Sequence, residues 1–130
     1  MRPLGPEDDQ AARVLHGAVP APDLAAASPL PSDALLAVGM LDGADLVGIA
    51  ALVATPAGPP EISVLVGPGA RGRGAASALE GEVLRRAAGR WEWVQHRTVE
   101  SDLPSRRLAA RCGFRLVSVE HLVRPAPSDD

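Results

Sequence analysis

The sequence predicts one mixed α/β domain of the α+β kind. Three observations carry this prediction. Two apolar runs, residues 34–40 and 46–54, flank a turn at Asp42-Gly43, which is the signal of an antiparallel hairpin. A third β-rich run, residues 61–66, passes directly into a turn dense in Gly and Arg and then into an amphipathic helix. Further helical and strand-like stretches follow, and helices mixed with an antiparallel hairpin specify a sheet with helices packed on it.

The bulk numbers bound the answer. A length of 130 residues fits one domain, with residues 125–130 as a frayed tail behind a domain over 1–124. A chain of this size buries somewhat under ~70% of its unfolded surface, enough for a core without staples. Net charge −3 argues against a general nucleic-acid coat. Lys, Tyr and Asn are absent while Ala, Gly, Pro and Arg dominate, which reads as codon bias rather than function. One cysteine cannot form an internal disulfide, which fits a reducing cytoplasm. Residues 1–9 lack the apolar stretch of a signal peptide, and the longest apolar run, 46–54, is broken by Gly48 and too short to span a membrane. The expectation is a cytoplasmic protein with neither membrane nor nucleic acid as partner.

Each element has a local reason. Residues 2–4 suit a short edge strand. Residues 6–18 read as a helix: Pro6 opens it, Glu7, Asp8 and Asp9 fill its first turn, and Ala11, Val14, Leu15 and Ala18 give an apolar stripe. Residues 19–33, rich in Pro and Ala, form a long loop, a length that in compact domains often carries function. The hairpin and the strand over 61–66 follow. Residues 74–88 form a helix with Ala76, Leu79, Val83, Leu84 and Ala87 on one side and Glu80, Glu82, Arg85 and Arg86 on the other. Gly81 inside it costs about 1 kcal/mol relative to Ala and marks either a close backbone approach or drift; Gly89 ends the helix. Residues 91–99 read as a strand with Trp91 and Trp93 on one face, there for core or dimer packing. Residues 102–112 form a helix capped by Asp102 and stopped by Gly113. Residues 116–123 are a last strand.

The turn after residue 66 carries the chemistry. Gly72 and Gly74 let backbone N–H groups converge, Ala75 and Ala76 are nearly as small, and Arg71 and Arg73 add charge-assisted bonds at a helix N-terminus. This predicts a phosphorylated ligand; the alternative is a tight turn with solvated arginines. The Gly-Lys-Ser/Thr ending of a nucleoside-triphosphate loop is missing, and the context of a dinucleotide fold is poorly matched.

Val66, Pro68 and Arg71-Gly72-Arg73-Gly74-Ala75-Ala76 resemble the acetyl-CoA motif of the GNAT superfamily of N-acetyltransferases. Val99, Asp102, Ser105, Leu108 and Gly113-Phe114 fall at the spacing of that family's C-terminal pattern, most like the branch that includes ribosomal-protein N-terminal acetyltransferases. The resemblance extends loosely over residues 2–123. It implies a twisted, mixed but mostly antiparallel sheet, flanked by helices, whose fourth and fifth strands splay apart. In that splay the pantetheine arm of acetyl-CoA would bond to strand-four backbone at Val64, Leu65 and Val66. The pyrophosphate would sit on the amides from Arg71 to Ala76, with Asp102 and Ser105 near the cofactor. Acetyl transfer to a primary amine (a protein N-terminus, a lysine or a small amine) is the implied reaction, with no metal.

Three departures qualify the resemblance. The position where many relatives carry the tyrosine that protonates the leaving thiolate holds Ala109. Asp102 replaces the family's asparagine. One strand rather than a hairpin follows Phe114, so the last strand is missing or a partner chain supplies it, and an uncovered edge favours a homodimer. Candidate bases are few. Glu61 begins strand four and Glu100 ends strand five, and each also reads as a solvated carboxylate; His96 has a suitable ordinary pKa but also reads as structural. Cys112 reads as a packed thiol. A domain that binds acyl-CoA without catalysis, as a sensor or subunit, is the alternative function. A third reading is a domain whose turn binds some other anion.

Overall fold

The structure, a computed structural model, describes residues 1–19, 29–96 and 103–114. Four strands, β1 (Arg2–Pro3), β2 (Leu36–Asp42), β3 (Asp45–Val53) and β4 (Glu61–Val66), form one antiparallel sheet in the order β1-β2-β3-β4. Helices α1 (Asp9–Ala18), α2 (Ala75–Ala87) and α3 (Leu103–Arg111) accompany it. This is the mixed, antiparallel architecture expected from the sequence.

The hairpin closes one residue later than its turn signal suggested. Asp42 pairs with Asp45, so the loop is Gly43-Ala44. Gly43 sits at φ 63°, the positive angle that the tight hairpin turns require of their first loop residue. A bulge follows: Met40 pairs with Gly48 but Leu41 with Leu46, leaving Val47 as the extra residue. It turns Leu46 to the same face as Leu41.

Strand alternation divides the core between the two faces of the sheet. On one face Val38, Ala50, Leu52 and Ile62 pack with Leu79, Val83 and Ala87 of α2. On the other Ile49 and Leu65 pack with Ala12 and Leu15 of α1 and with Val19. The apolar stripe of α1 is therefore Ala12, Leu15 and Val19 rather than the expected set; of that set only Leu15 is buried, and Val14 is 66% exposed. The expected helix over 6–18 begins with a separate 3-10 turn, Pro6–Asp8. There the Asp8 carboxylate accepts the Gly5 N–H at 2.9 Å and a guanidinium N–H of Arg2 at 2.8 Å.

Other expectations shift as well. Glu80 does not lie on the polar side of α2; it is fully buried. Its spacing explains this, since 76, 80, 83, 84 and 87 form one helical stripe. A Cβ on Gly81 would meet nothing within 4 Å, so no close approach demands that glycine. Residues 91–96 form no regular strand; Gln95 alone makes a parallel bridge to Glu61. Trp91 packs on the α2 face beneath Arg90, whereas Trp93 is 70% exposed, so the two do not share an environment. α3 ends in a Schellman motif: Phe114 N–H bonds to Ala109 O, Gly113 N–H to Ala110 O, and Gly113 has φ 89°. The splay beyond residue 96, Glu100, the Asp102 cap, the strand over 116–123 and the tail lie outside the described residues, as does the middle of the loop over 19–33.

Candidate functional site

The site is built where β4 becomes α2. Gly67 N–H bonds to Val47 O at 2.8 Å and fixes the end of the strand. A 3-10 turn, Pro68–Ala70, tucks the buried Ala70 under the chain and delivers Arg71 in an extended conformation. Gly72 (φ 78°) and Gly74 (φ 70°) then take left-handed angles that cost other residues about 1–2 kcal/mol each. Gly74 is the N-cap of α2 and offers no side-chain cap, so the first amides of the helix keep their hydrogen-bonding capacity. Residues 71–74 are exposed. A Cβ at Gly69, Gly72 or Gly74 would meet no protein atom within 4 Å, so packing does not fill the concavity. Uncapped amides, the positive end of the helix dipole and two arginine side chains give this turn the chemistry that suits an anion. Arg71 also reaches back, its Nε donating to Val66 O at 3.3 Å.

The second part is the outer edge of β4, which among the described residues meets only Gln95. Gly67 N–H points to β3, and register pairs Leu65 with Ile49 and Ser63 with Ala51, so odd-numbered residues give their backbone groups to β3. Even-numbered residues face the other way: Ile62 N–H bonds to Gln95 O at 3.0 Å. Val64 and Val66 therefore direct their N–H groups to the open edge, while those of Leu65 are committed to the ladder. Of the three strand-four residues expected to meet a cofactor, two have backbone to offer.

The remaining candidates are scattered. Glu61 stands half-buried at the start of β4, on the face it shares with Leu65 and α1, five residues or roughly 17 Å along the strand from Val66. Ser105 is in the first turn of α3 and Ala109 farther along it. Glu100 and Asp102 lie outside the described residues. Among the described residues no group of three or more His, Cys, Asp or Glu could hold a metal, and no helix is long and apolar enough to cross a membrane.

Sequence reasoning missed a buried polar cluster on the α2 face. His96 Nε2 lies 2.8 Å from Glu80 Oε1, with side chains 9% and 0% exposed. The His96 ring meets Phe114 edge-on at 5.3 Å. The Cys112 thiol is pushed up to about 12, first by burial and then by the Glu80 carboxylate beside it. These contacts are close but poorly aligned: neither Glu80 oxygen nor His96 Nδ1 has a partner in hydrogen-bond geometry. The thiol thus stays protonated, as a packed residue does.

Comparison with known proteins identifies the family and the fold. The sequence profile of the acetyltransferase (GNAT) family matches residues 10–114. No curated protein matches in a sequence search. Among solved structures, the chain is similar to AAC(6')-Iy in complex with the bisubstrate analog CoA-S-monomethyl-acetylneamine, at 16% identity, covering 97% of each chain, TM-score 0.71. It is similar to a ribosomal-protein-alanine N-acetyltransferase from Brucella melitensis biovar Abortus 2308, at 20% identity, covering 94% of this chain and 96% of that one, TM-score 0.64. A GNAT-family protein from Novosphingobium aromaticivorans is 26% identical over 88% of this chain, TM-score 0.72; the match spans only 50% of that longer protein.

Proposed function

Because the chain belongs to the acetyltransferase (GNAT) family, we propose that it is an acetyl-CoA-dependent N-acetyltransferase acting on a primary amine. The acceptor class is a protein N-terminus, a lysine side chain or a small amine, and the setting is the cytoplasm. The observation that carries the reading is the continuity of two surfaces. The turn 71–76 opens directly beside the edge of β4 that carries no strand among the described residues, towards which Val64 and Val66 direct their backbone N–H groups. A long ligand with a pyrophosphate at one end and amides along its arm matches both at once. The structural relatives solved with CoA and with a CoA–aminoglycoside analog support the same choice.

Acetyl-CoA supplies an activated acetyl thioester. The residues here would anchor its phosphates at Arg71, Gly72, Arg73, Gly74, Ala75 and Ala76 and hold its arm along β4. Asp102 and Ser105 are proposed cofactor contacts by their place in the family pattern. A neutral amine attacks the carbonyl, the new C–N bond forms as the C–S bond breaks, and the oxygen gaining charge takes an N–H from the open β4 edge. Glu61 and Glu100 are the proposed proton acceptors, directly or through water. The thiolate leaves and takes a proton from solvent, since the sequence has no tyrosine to give one.

That absence favours one other reading, a non-catalytic acyl-CoA sensor or subunit. Calorimetric titration with acetyl-CoA and CoA, followed by thiol release over a panel of amines, separates the two. Micromolar binding with release supports the transferase; binding without release on any amine supports the sensor. Gly72→Val with Gly74→Val abolishes binding under both readings, and retained binding in that double variant sinks the assignment of the phosphate site.

A further inference from the structure

The Glu80–His96 pair is a polar contact buried beside an otherwise apolar cluster, and its place in the fold gives it a use beyond packing. Glu80 lies on α2, six residues or about 9 Å from the Gly74 N-cap. His96 adjoins Gln95, whose N–H bonds to Pro60 O at 2.9 Å and whose carbonyl accepts Ile62 N–H at 3.0 Å. Cys112 and Phe114, at the end of α3, close on the same pair. One buried contact therefore ties the helix of the proposed phosphate-binding turn to the segment bordering the outer edge of β4, and both to the end of α3. Leucines at both positions would hold these elements together, but apolar contacts let them slide. A buried ion-pair contact in place of apolar packing carries a cost in net stability, and fixing a register is the best-attested use of such a contact.

We propose that Glu80 and His96 are positioning residues: they hold residues 95–96 against α2 and so set where Gln95 meets the start of β4, the strand along which the proposed ligand arm runs. The proposal's kinetic arm rests on the acetyltransferase reading; its structural arm does not. The informative variant is Glu80→Leu with His96→Leu, which replaces the pair by apolar side chains and keeps the fold. It is compared with wild type by melting temperature, CoA titration, amide hydrogen exchange, and kcat and KM for whichever amine releases thiol. The expected result is an unchanged or raised melting temperature and CoA affinity within about threefold. Exchange at the Gln95 and Ile62 amides is at least tenfold faster relative to the β3-bonded amides of Ser63 and Leu65, and kcat falls at least tenfold. Glu80→Gln, which keeps an acceptor for the imidazole, loosens the same amides by a smaller factor and restores most of kcat. Unchanged relative exchange at Gln95 and Ile62 in the double variant overturns the proposal. So does unchanged kcat beside loosened amides, because the lock then sets nothing that the reaction uses. If no amine is turned over at all, the acetyltransferase reading fails and the exchange comparison still decides the lock. If the double variant does not fold, Glu80→Gln decides alone: selective loosening at Gln95 supports the lock, and uniform rates overturn it.

Discussion

The two faces of the sheet are buried to similar depth but with different chemistry. Beneath α1 the core cluster is apolar, built from Ala12, Leu15, Val19, Ile49 and Leu65; among the described residues the polar groups buried on that side are the Asp8 carboxylate, paired with the half-exposed Arg2, and His16 Nε2 on α1. Beneath α2 an equally apolar set surrounds a fully buried carboxylate with a histidine against it. Apolar packing is tolerant of small shifts, whereas a polar contact in a low-dielectric interior is either made or costly. The cluster beneath α1 rests on the first, and the one beneath α2, the helix that opens from the proposed phosphate-binding turn, also contains the second.

The comparison breaks most sharply under truncation. Ile49→Ala removes a fully buried side chain from the α1 face and is expected to cost about 4 kcal/mol, by transfer and cavity together. His96→Ala leaves the buried Glu80 carboxyl without its partner and is expected to cost about 3 kcal/mol. The diagnostic is the second change. Adding Glu80→Leu to a His96→Leu variant recovers most of the loss in a denaturant titration, because the orphaned carboxyl goes with it. No further truncation near Ile49 recovers anything, since a cavity has no orphan to remove. Equal behaviour of the two faces in this test would erase the distinction.

A chemical probe sharpens it next. With its thiol pushed up to about 12 by burial and by Glu80, Cys112 holds almost no thiolate at pH 8. Alkylation of the folded protein by iodoacetamide is expected to be about a hundredfold or more slower than that of the unfolded chain. Glu80→Gln removes the neighbouring charge, lowers the thiol pKa and speeds the native reaction without melting the protein. A native rate equal to the unfolded one would place the thiol outside the cluster.

How much of this was legible in the sequence follows the same division. The hairpin, β4 and the turn into α2 were readable because each rests on local signals: alternation, a Gly at a turn, and glycines where amides must converge. The Schellman stop at Gly113 was readable for the same reason. The α1 stripe was misplaced because Ala is too common in this chain to mark a face, and Ala12 rather than Ala11 faces the sheet. Glu80 was misread because its charge outweighed its spacing, although its place between Ala76 and Leu84 put it on the buried stripe. Its partner could not be found locally, because His96 is sixteen positions away and meets it only through the tertiary fold. Likewise the family resemblance proposes strand four for the ligand arm, but which of its backbone groups face away from β3 (Val64 and Val66, not Leu65) depends on hydrogen-bond parity set by Gly67 and Gln95.

Smaller effects belong to the rim of the α1 face. The Asp8 carboxyl is held below its ordinary 3.8, first by the Arg2 hydrogen bond and then by the Gly5 N–H. Its folded value is depressed, so its contribution is fully present above the unfolded value of 3.8 and lost as pH falls through the folded one. Asp8→Ala is expected to cost about 1 kcal/mol at pH 7, the Arg2 side chain being 49% exposed and screened. It also frees β1, which shows as faster exchange of the Leu4 amide that bonds to Ala37 O. The stability difference from wild type closes on acidification below 3.8, and a gap that persists at acid pH would mean that the residue acts through packing and not through its charge.

The weakest contrast lies on the outer flank of α2, where the sequence already spaced Glu82 and Arg86 for pairing. Glu82 is lowered from 4.5 to about 2, first by the Arg85 hydrogen bond, with Arg86 adding to it at 2.8 Å. This pair sits on the same helix as Glu80 but in water, with Arg85 66% exposed. Solvent and salt screen it, so a large shift here signifies little stability, whereas the Glu80 contact two residues away is buried and not screened in this way. Because the folded value is depressed, the pair's stabilisation is complete above pH 4.5 and disappears as pH falls towards 2. Glu82→Gln is therefore expected to lower the melting temperature slightly at pH 7 and by still less near pH 2, and added salt at pH 7 shrinks the difference. Thermal melts at two pH values and two salt concentrations measure it. A salt-insensitive loss as large as that of His96→Ala would show that the flank of α2, and not its buried stripe, holds the helix in place.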